Sequence, residues 1–294
     1  MHKKKLVILL DGSYYLYKSY YGFMSLTSNT HKTSEAIYGI LKIIRNILIQ
    51  YAPHKLIIVF DSKKKNFRQK IFPEYKKNRI PIPKELKIQI PVIYKIIDDL
   101  GIPILSIPHV EADDVIGTLS VIAQKKGENV LIGTADKDFS QLVNEDVKIF
   151  NNINHTILGP KEIKKKYGVP PKLIIDLLSL MGDKTDNIPG IFGIGQKIAT
   201  KLLLNIGCII KIYKNINQIL SLPIRNINNI FKKVKDGKNK AFLSYKLAKI
   251  KINVNLNQEY EKLIFLNKNK QIKYIYSKYQ DLIIDIQKYI KNIK

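Results

Sequence analysis

Leu6-Val7-Ile8-Leu9-Leu10-Asp11 is an unbroken apolar run that ends at a carboxylate. Consecutive aliphatic residues without polar alternation describe a strand buried on both faces, as in the interior of a parallel sheet. The design returns at Leu56-Ile57-Ile58-Val59-Phe60-Asp61, within a strand expected over Lys55–Phe60, and Val130–Ile132 is followed shortly by Asp136 and Asp138. Ile102–Ser106 and Val147–Phe150 are further strand candidates. Between these runs Ser34–Tyr51, Pro83–Leu100 and Asp113–Lys126 carry apolar residues at helical spacing. This alternation predicts an α/β domain over residues 1–170, with a largely parallel sheet and flanking helices. Residues 62–83, rich in Lys, Arg, Asn and Pro, read as a basic loop or short-helix insertion.

The 294 residues suffice for one large domain or two modest ones, with a substantial core. A single cysteine, Cys208, cannot form an internal disulfide, which fits a reducing cytoplasm. No apolar run approaches the ~20 residues of a membrane span. The run after Met1-His2-Lys3-Lys4-Lys5 falls short of a ~7–15-residue signal segment and ends in Asp11 without a small-residue cleavage site. The expectation is a cytoplasmic protein with no membrane partner. A net charge of +26 calls for a polyanionic partner, most simply nucleic acid. Richness in Ile, Lys and Asn, a mark of AT-rich coding, accounts for part of that charge. Lys63–Lys65 and Lys164–Lys166 also read as solvated faces.

From Pro171 the pattern turns mainly helical, giving a second region over 171–294. Leu173–Met181 is a compact apolar helix, Ile188-Pro189-Gly190-Ile191-Phe192-Gly193-Ile194-Gly195 a glycine-rich turn, and Gln196–Leu204 a second helix. Gly190, Gly193 and Gly195 follow a helix, with no third spaced glycine and no later acidic residue, so a dinucleotide site does not fit. A helix–turn–helix whose glycines let the backbone approach phosphate fits better, with the second helix offering its N-terminal amides and Lys197. Further on, Ile250–Leu256 reads as a strand, and there are no internal repeats.

Strand C-termini share one edge of an open α/β sheet, and ligands bind there. Asp11, Asp61, Asp136 and Asp138 follow strands, while Glu111, Asp113 and Asp114 lie between the Ile102–Ser106 strand and a helix. The spacing therefore predicts seven carboxylates converging on one edge, with Asp183 and Asp186, three residues apart, completing the group. A lone Asp after a strand is usually a turn residue or a helix cap; its recurrence at strand after strand is what points to a site. So many like charges require cations. Hard divalent ions with oxygen ligands, above all Mg²⁺, are the natural solution, and the number of acids argues for two or more.

These residues stand in specific contexts: Asp11-Gly12-Ser13-Tyr14-Tyr15-Leu16-Tyr17, Val59-Phe60-Asp61, Val110-Glu111-Ala112-Asp113-Asp114-Val115-Ile116-Gly117-Thr118-Leu119, Asp136-Lys137-Asp138, and Met181-Gly182-Asp183-Lys184-Thr185-Asp186-Asn187-Ile188-Pro189-Gly190. In them the chain resembles, over essentially its full length, the 5′–3′ exonuclease domain of bacterial DNA polymerase I, within the flap endonuclease family. The resemblance implies a flap endonuclease-like (PIN) α/β fold with a helix–three-turn–helix at about 173–204 and a basic arch at about 62–95. It assigns Asp11, Asp61, Glu111, Asp113 and Asp114 to a first metal group and Asp136, Asp138, Asp183 and Asp186 to a second. Mg²⁺ is the implied ion, with Mn²⁺ as substitute and K⁺ on backbone carbonyls of the turn after Asn187. Lys76 and Arg79 match basic arch residues, Lys76 contacting the scissile phosphate, and Asp114 is expected with them to be indispensable for cleavage. Tyr17 looks like the aromatic that stacks on the terminal nucleobase.

The implied activity is structure-specific hydrolysis at 5′ ends of nicked or flapped duplex DNA, including RNA-primed ends, in replication and repair. A monomer is implied, working alongside a separate DNA polymerase and ligase. Three departures stand out. Lys18 replaces a usual Arg and loses its bidentate grip on phosphate. Ala135 replaces a usual Gly. The chain also ends where a polymerase-linked member would continue, which reads as a free-standing nuclease. The alternative, a branched-DNA scaffold without catalysis, has no use for a filled set of acids that repel phosphate.

Overall fold

A computed structural model describes residues 4–24, 35–151, 156–266 and 279–292. Met1 to Lys3, Ser34 (the expected start of a helix) and part of the lysine-rich C-terminal stretch lie outside them. The centre is a six-stranded sheet of order β3-β2-β1-β4-β5-β6: β1 Leu6–Asp11, β2 Lys55–Val59, β3 Ile104–Leu105, β4 Asn129–Gly133, β5 Val147–Asn151 and β6 Thr156–Leu158. All neighbours pair in parallel except β5 with β6. Register places Asp11 opposite Val59 and Leu10 opposite Gly133, so the strands reach the same edge nearly level.

Two expectations change here. The strand over Ile102–Ser106 shrinks to β3, because Pro103 has no N–H for the ladder, although its carbonyl still accepts from Ile58 N at 3.0 Å. The antiparallel β6 had no apolar run to reveal it, being a short edge strand with two of its three residues exposed.

Successive residues of β1 serve opposite faces. Ile8 and Leu10 pack with β2 residues Leu56 and Ile58 under α1 Gly12–Met24, α2 Glu35–Tyr51 and α4 Lys84–Asp99. Val7 and Leu9 face the second core, beneath α5 Ala112–Lys125. The short α3, Phe67–Ile71, lies in the basic insertion and is closed by a capping box from Asn66 to Gln69. Gln89 on α4 accepts from Ala36 N and Ile37 N, so α4 caps the open end of α2.

Beyond β6 come α6 Pro160–Tyr167, α7 Ile174–Met181, α8 Gln196–Asn205, α9 Ile209–Lys214, α10 Ile227–Asp236, α11 Lys238–Ala248 and α12 Gln280–Asn292. Helices α7 to α11 share the core that holds Val7 and Leu9, so packing is continuous across residue 170. Helix α12 returns to α2 through buried Ile283, Ile286 and Ile290, with Arg45 Nε donating to Asp285 Oδ2 at 2.6 Å. The strand expected at Ile250–Leu256 does not form. This segment runs along α5, where no sheet edge is available, and side chains satisfy its amides instead: Lys251 N donates to Asp114 Oδ1 at 2.8 Å and Val254 N to Thr118 Oγ1 at 3.0 Å. Among the described residues no helix is long and apolar enough to cross a membrane.

Candidate metal centre and nucleic-acid cleft

Beside the level ends of β1 and β4 lies a cleft of about 580 Å³. Six of the nine expected carboxylates line it: Asp11, Asp61, Asp113, Asp136, Asp183 and Asp186. Asp11 is aimed by Tyr14 N at 2.9 Å and Thr134 Oγ1 at 3.1 Å, both donating to its oxygens. Asp61 Oδ1 accepts from Ala112 N at 3.0 Å, which seats the start of α5 against the end of β2. Asp136 caps the short 3₁₀ helix Lys137–Leu142 by accepting from Asp138 N at 3.0 Å.

Asp183 and Asp186 are placed by a loop whose ends meet. Gly182 (φ +73°) and Gly190 (φ +58°) both need the left-handed region, and a Cβ on Gly190 would stand 2.3 Å from Gly182 N. Asp183 and Ile188 exchange backbone hydrogen bonds of 2.9 and 2.7 Å across this neck. Oxygens of Asp138, Asp183 and Asp186 lie within 4.8 Å of one another, all three residues are buried, and Asp138 Oδ1 has no hydrogen-bond donor among the described residues. An all-carboxylate set with an orphaned buried oxygen fits a hard divalent cation.

Electrostatics agree. Burial, reinforced by Asp61, pushes Asp11 up to about 7. Burial also raises Asp113, Asp136 and Asp138, with Lys76 opposing the rise at Asp113 and Asp136 adding to it at Asp138. Without cations these acids hold protons that ordinary carboxylates release. Facing them, Lys76 Nζ reaches Glu111 Oε1 at 2.8 Å and Asp186 Oδ2 at 3.6 Å, and Arg79 Nη2 reaches Asp186 Oδ1 at 2.7 Å. Lys76 sits at φ +57°, held there by its N–H donating to the Asp186 carbonyl at 2.9 Å. Glu111, and next Tyr75, keep its ammonium well above the usual range despite burial. Tyr17 also lines the cleft.

Two expected cleft acids are otherwise engaged. Asp114 is fully buried on the far side of α5, with Arg68 Nη1 at 2.8 Å from Oδ2 and Nη2 at 2.8 Å from Oδ1. Adjacent helical residues point in different directions, and here Asp113 lines the cleft while Asp114 turns to Arg68. Glu111 lies between the two environments. It accepts from Arg68 Nη1 at 2.6 Å, Asn66 Nδ2 at 3.0 Å and Tyr75 OH at 3.2 Å, as well as from Lys76. Arg68 was hidden in the basic insertion, yet it is only 2% exposed and also donates to the carbonyls of Leu247 and Lys249.

Lys18 sits beside the aromatic rings of Tyr14 and Tyr15 on α1. It lies off the cleft lining, with its ammonium 5.4 Å from the Tyr15 ring centre. Lys137 had no assigned role and pairs with Asp183 at 2.7 Å; Lys166, read as part of a solvated face, lines the cleft together with Tyr167. The Gly190 neck leads into a turn carrying Gly193 and Gly195, and Lys197 lies in the first turn of α8. Gly195 and Lys197 are exposed there, and the first turn of α8 receives no side-chain cap.

A doubly flanked, mostly parallel sheet with a buried acid cluster at its strand ends has the arrangement of a metal-dependent hydrolase site. A family profile described as "5'-3' exonuclease, N-terminal resolvase-like domain" matches residues 6–168, and one described as "5'-3' exonuclease, C-terminal SAM fold" matches 169–271. The 5'-3' exonuclease of Buchnera aphidicola subsp. Schizaphis graminum is 50% identical over 256 residues, covering 87% of this chain and 89% of that protein. DNA polymerase I of Pseudomonas aeruginosa is 40% identical over 87% of this chain but only 28% of its own length. The T5 5'-exonuclease solved with divalent zinc superposes with a TM-score of 0.67 at 21% identity, over 98% of this chain and 99% of that one. The chain belongs to the 5′–3′ exonuclease family.

Proposed function

We propose that the cleft hydrolyses phosphodiester bonds at the 5′ ends of nicked or flapped duplex DNA by two-metal catalysis. The observation that carries this reading is the juxtaposition in one cleft of six carboxylates with Lys76 and Arg79: a cation-binding floor under a phosphate-binding wall. Asp138, Asp183 and Asp186 would hold one divalent ion, and Asp11, Asp61, Asp113 and Asp136 another, with Mg²⁺ as the resident metal and Mn²⁺ as a substitute. Such ions stabilise charge on the attacking and leaving oxygens when bound. Lys76 and Arg79 orient the scissile phosphate and offset its developing charge. Glu111 holds Lys76 in place, and Tyr17 stacks on an unpaired base. The α7–α8 turn, with Gly190, Gly193, Gly195 and Lys197, grips the duplex through phosphates, with K⁺ on its carbonyls.

In the cell this activity would remove RNA primers and trim flaps in the cytoplasm, as a monomer, together with a separate polymerase and ligase. The test is cleavage of a 3′-labelled 5′-flap duplex with Mg²⁺ and with EDTA. Cuts near the junction that need Mg²⁺ are expected. A flap that is bound yet left intact with Mg²⁺ would sink the reading in favour of a non-catalytic scaffold. Comparing K⁺ with Na⁺ in duplex binding tests the monovalent site.

A further inference from the structure

Tyr17 does not stand alone at the mouth of the cleft. Tyr21, one turn further along α1, lies with its ring 6.5 Å from that of Tyr17, centroid to centroid, at an interplanar angle of 14°. Helical spacing puts both on one face. Tyr21 is 52% exposed, whereas Tyr15, Leu16 and Tyr20 of the same helix are buried. Its ring is nevertheless held. Tyr20 meets it edge-on at 5.1 Å and 77°, and Tyr20 OH in turn donates to Glu85 Oε2 of α4 at 3.5 Å. The result is a solvent-facing aromatic ring set nearly parallel to that of Tyr17, one helical turn further from Asp11. Arg79, whose side chain is 44% exposed, lines the same cleft as Tyr17.

We propose that Tyr21 is a second stacking platform, for the nucleobase next to the one on Tyr17, and that it sets a requirement for a base at the second position of the single-stranded 5′ segment. This rests on the reading that a 5′ end enters the cleft beside Tyr17. The chemistry is general, because every base has a π-face and stacking is indifferent to sequence. The 6.5 Å step between the rings is about twice the ~3.4 Å rise between stacked nucleotides, a step that an unstacked strand covers with one nucleotide. Tyr also offers a large rigid plane at little entropic cost.

The test is equilibrium binding, with Ca²⁺ in place of Mg²⁺, of 5′-flap duplexes that are intact or carry an abasic site at the first or the second flap nucleotide. Wild-type protein should bind the intact flap about 5-fold or more tightly than the flap abasic at the second position. In Tyr21→Ala that ratio should fall to about one while the first-position ratio persists, and Tyr21→Phe and Tyr21→Trp should retain both. Wild-type indifference to the second base, or Tyr21→Ala retaining the discrimination, overturns the proposal. So does loss of both ratios together, which would make Tyr21 a support for Tyr17. Failure of the underlying reading looks different: wild-type protein would then not prefer any flap over fully paired duplex.

Discussion

Arg68 offers the sharpest perturbation, because its guanidinium is buried and is the charged partner of Asp114. Arg68→Met removes two hydrogen bonds to Asp114, one to Glu111 and two to the carbonyls of Leu247 and Lys249. It leaves Asp114, 0% exposed, with only Lys251 N and no counter-charge. Breaking a buried ion pair from one side costs about 3–5 kcal/mol, against a total stability of about 5–15 kcal/mol. The melting temperature should fall by about 5–8 °C, at roughly 1.6 °C per kcal/mol for a chain of 294 residues. Asp114→Asn should destabilise less, since the amide keeps the shape and part of the bonding. Pairing Arg68→Met with Asp114→Leu should recover about 1–3 kcal/mol relative to additivity. The assay is urea denaturation followed by circular dichroism, with flap cleavage measured well below each variant's melting range. Cleavage by Asp114→Asn should stay within about tenfold of wild type, while Asp113→Asn, which faces the cleft, should lose about 10²-fold or more. If Asp114→Asn keeps wild-type stability but loses cleavage until Mg²⁺ is raised, Asp114 is a metal ligand and the structural assignment is wrong.

Other expectations follow from the same geometry. Asp186→Asn should abolish cleavage yet keep or strengthen flap binding, because it removes a charge that repels phosphate; gel shifts beside cleavage assays decide this, and parallel loss of binding would make Asp186 structural. Gly190→Ala should destabilise the fold by about 2–4 kcal/mol, since its Cβ would sit 2.3 Å from Gly182 N at φ +58°, and the apparent Mg²⁺ requirement should rise as Asp183 and Asp186 shift. In EDTA, thermal stability should fall as pH rises from about 4 to 7. Asp11 keeps its proton up to about 7 when folded but releases it from 3.8 when unfolded, so the unfolded state binds fewer protons throughout that window. Saturating Mg²⁺ should flatten this slope because cations favour the ionised acids; equal slopes in melting curves with and without Mg²⁺ would mean that the acids do not hold the metal.

How far this cleft could be read from sequence depends on the range of the physics involved. Asp11 and Asp61 were legible because a run such as Leu6–Leu10 announces a buried strand, and parallel strands leave their ends at one edge. Helical geometry made a divergence of Asp113 and Asp114 legible, but not the direction of Asp114. Nor was its partner legible, since Arg68 and Asp114 are 46 residues apart and an arginine inside a lysine-rich insertion carries no local mark of burial. The extended path of residues 250–256 was obscured for a similar reason: a β-rich run needs a ladder partner, and here α5 stands where that partner would be. Least legible of all was the seam between the two regions. Lys76 N donates to the Asp186 carbonyl and Asn187 Nδ2 to the Glu74 carbonyl at 2.7 Å, bonds in which the acceptor's side-chain identity plays no part. That seam has a mechanical consequence. The loop bearing Asp183 and Asp186 leads directly into the α7–α8 turn, and through Lys76 it also fixes the base of the basic insertion. The α7–α8 turn, the acids Asp183 and Asp186, and Lys76 and Arg79 are therefore joined through one short segment.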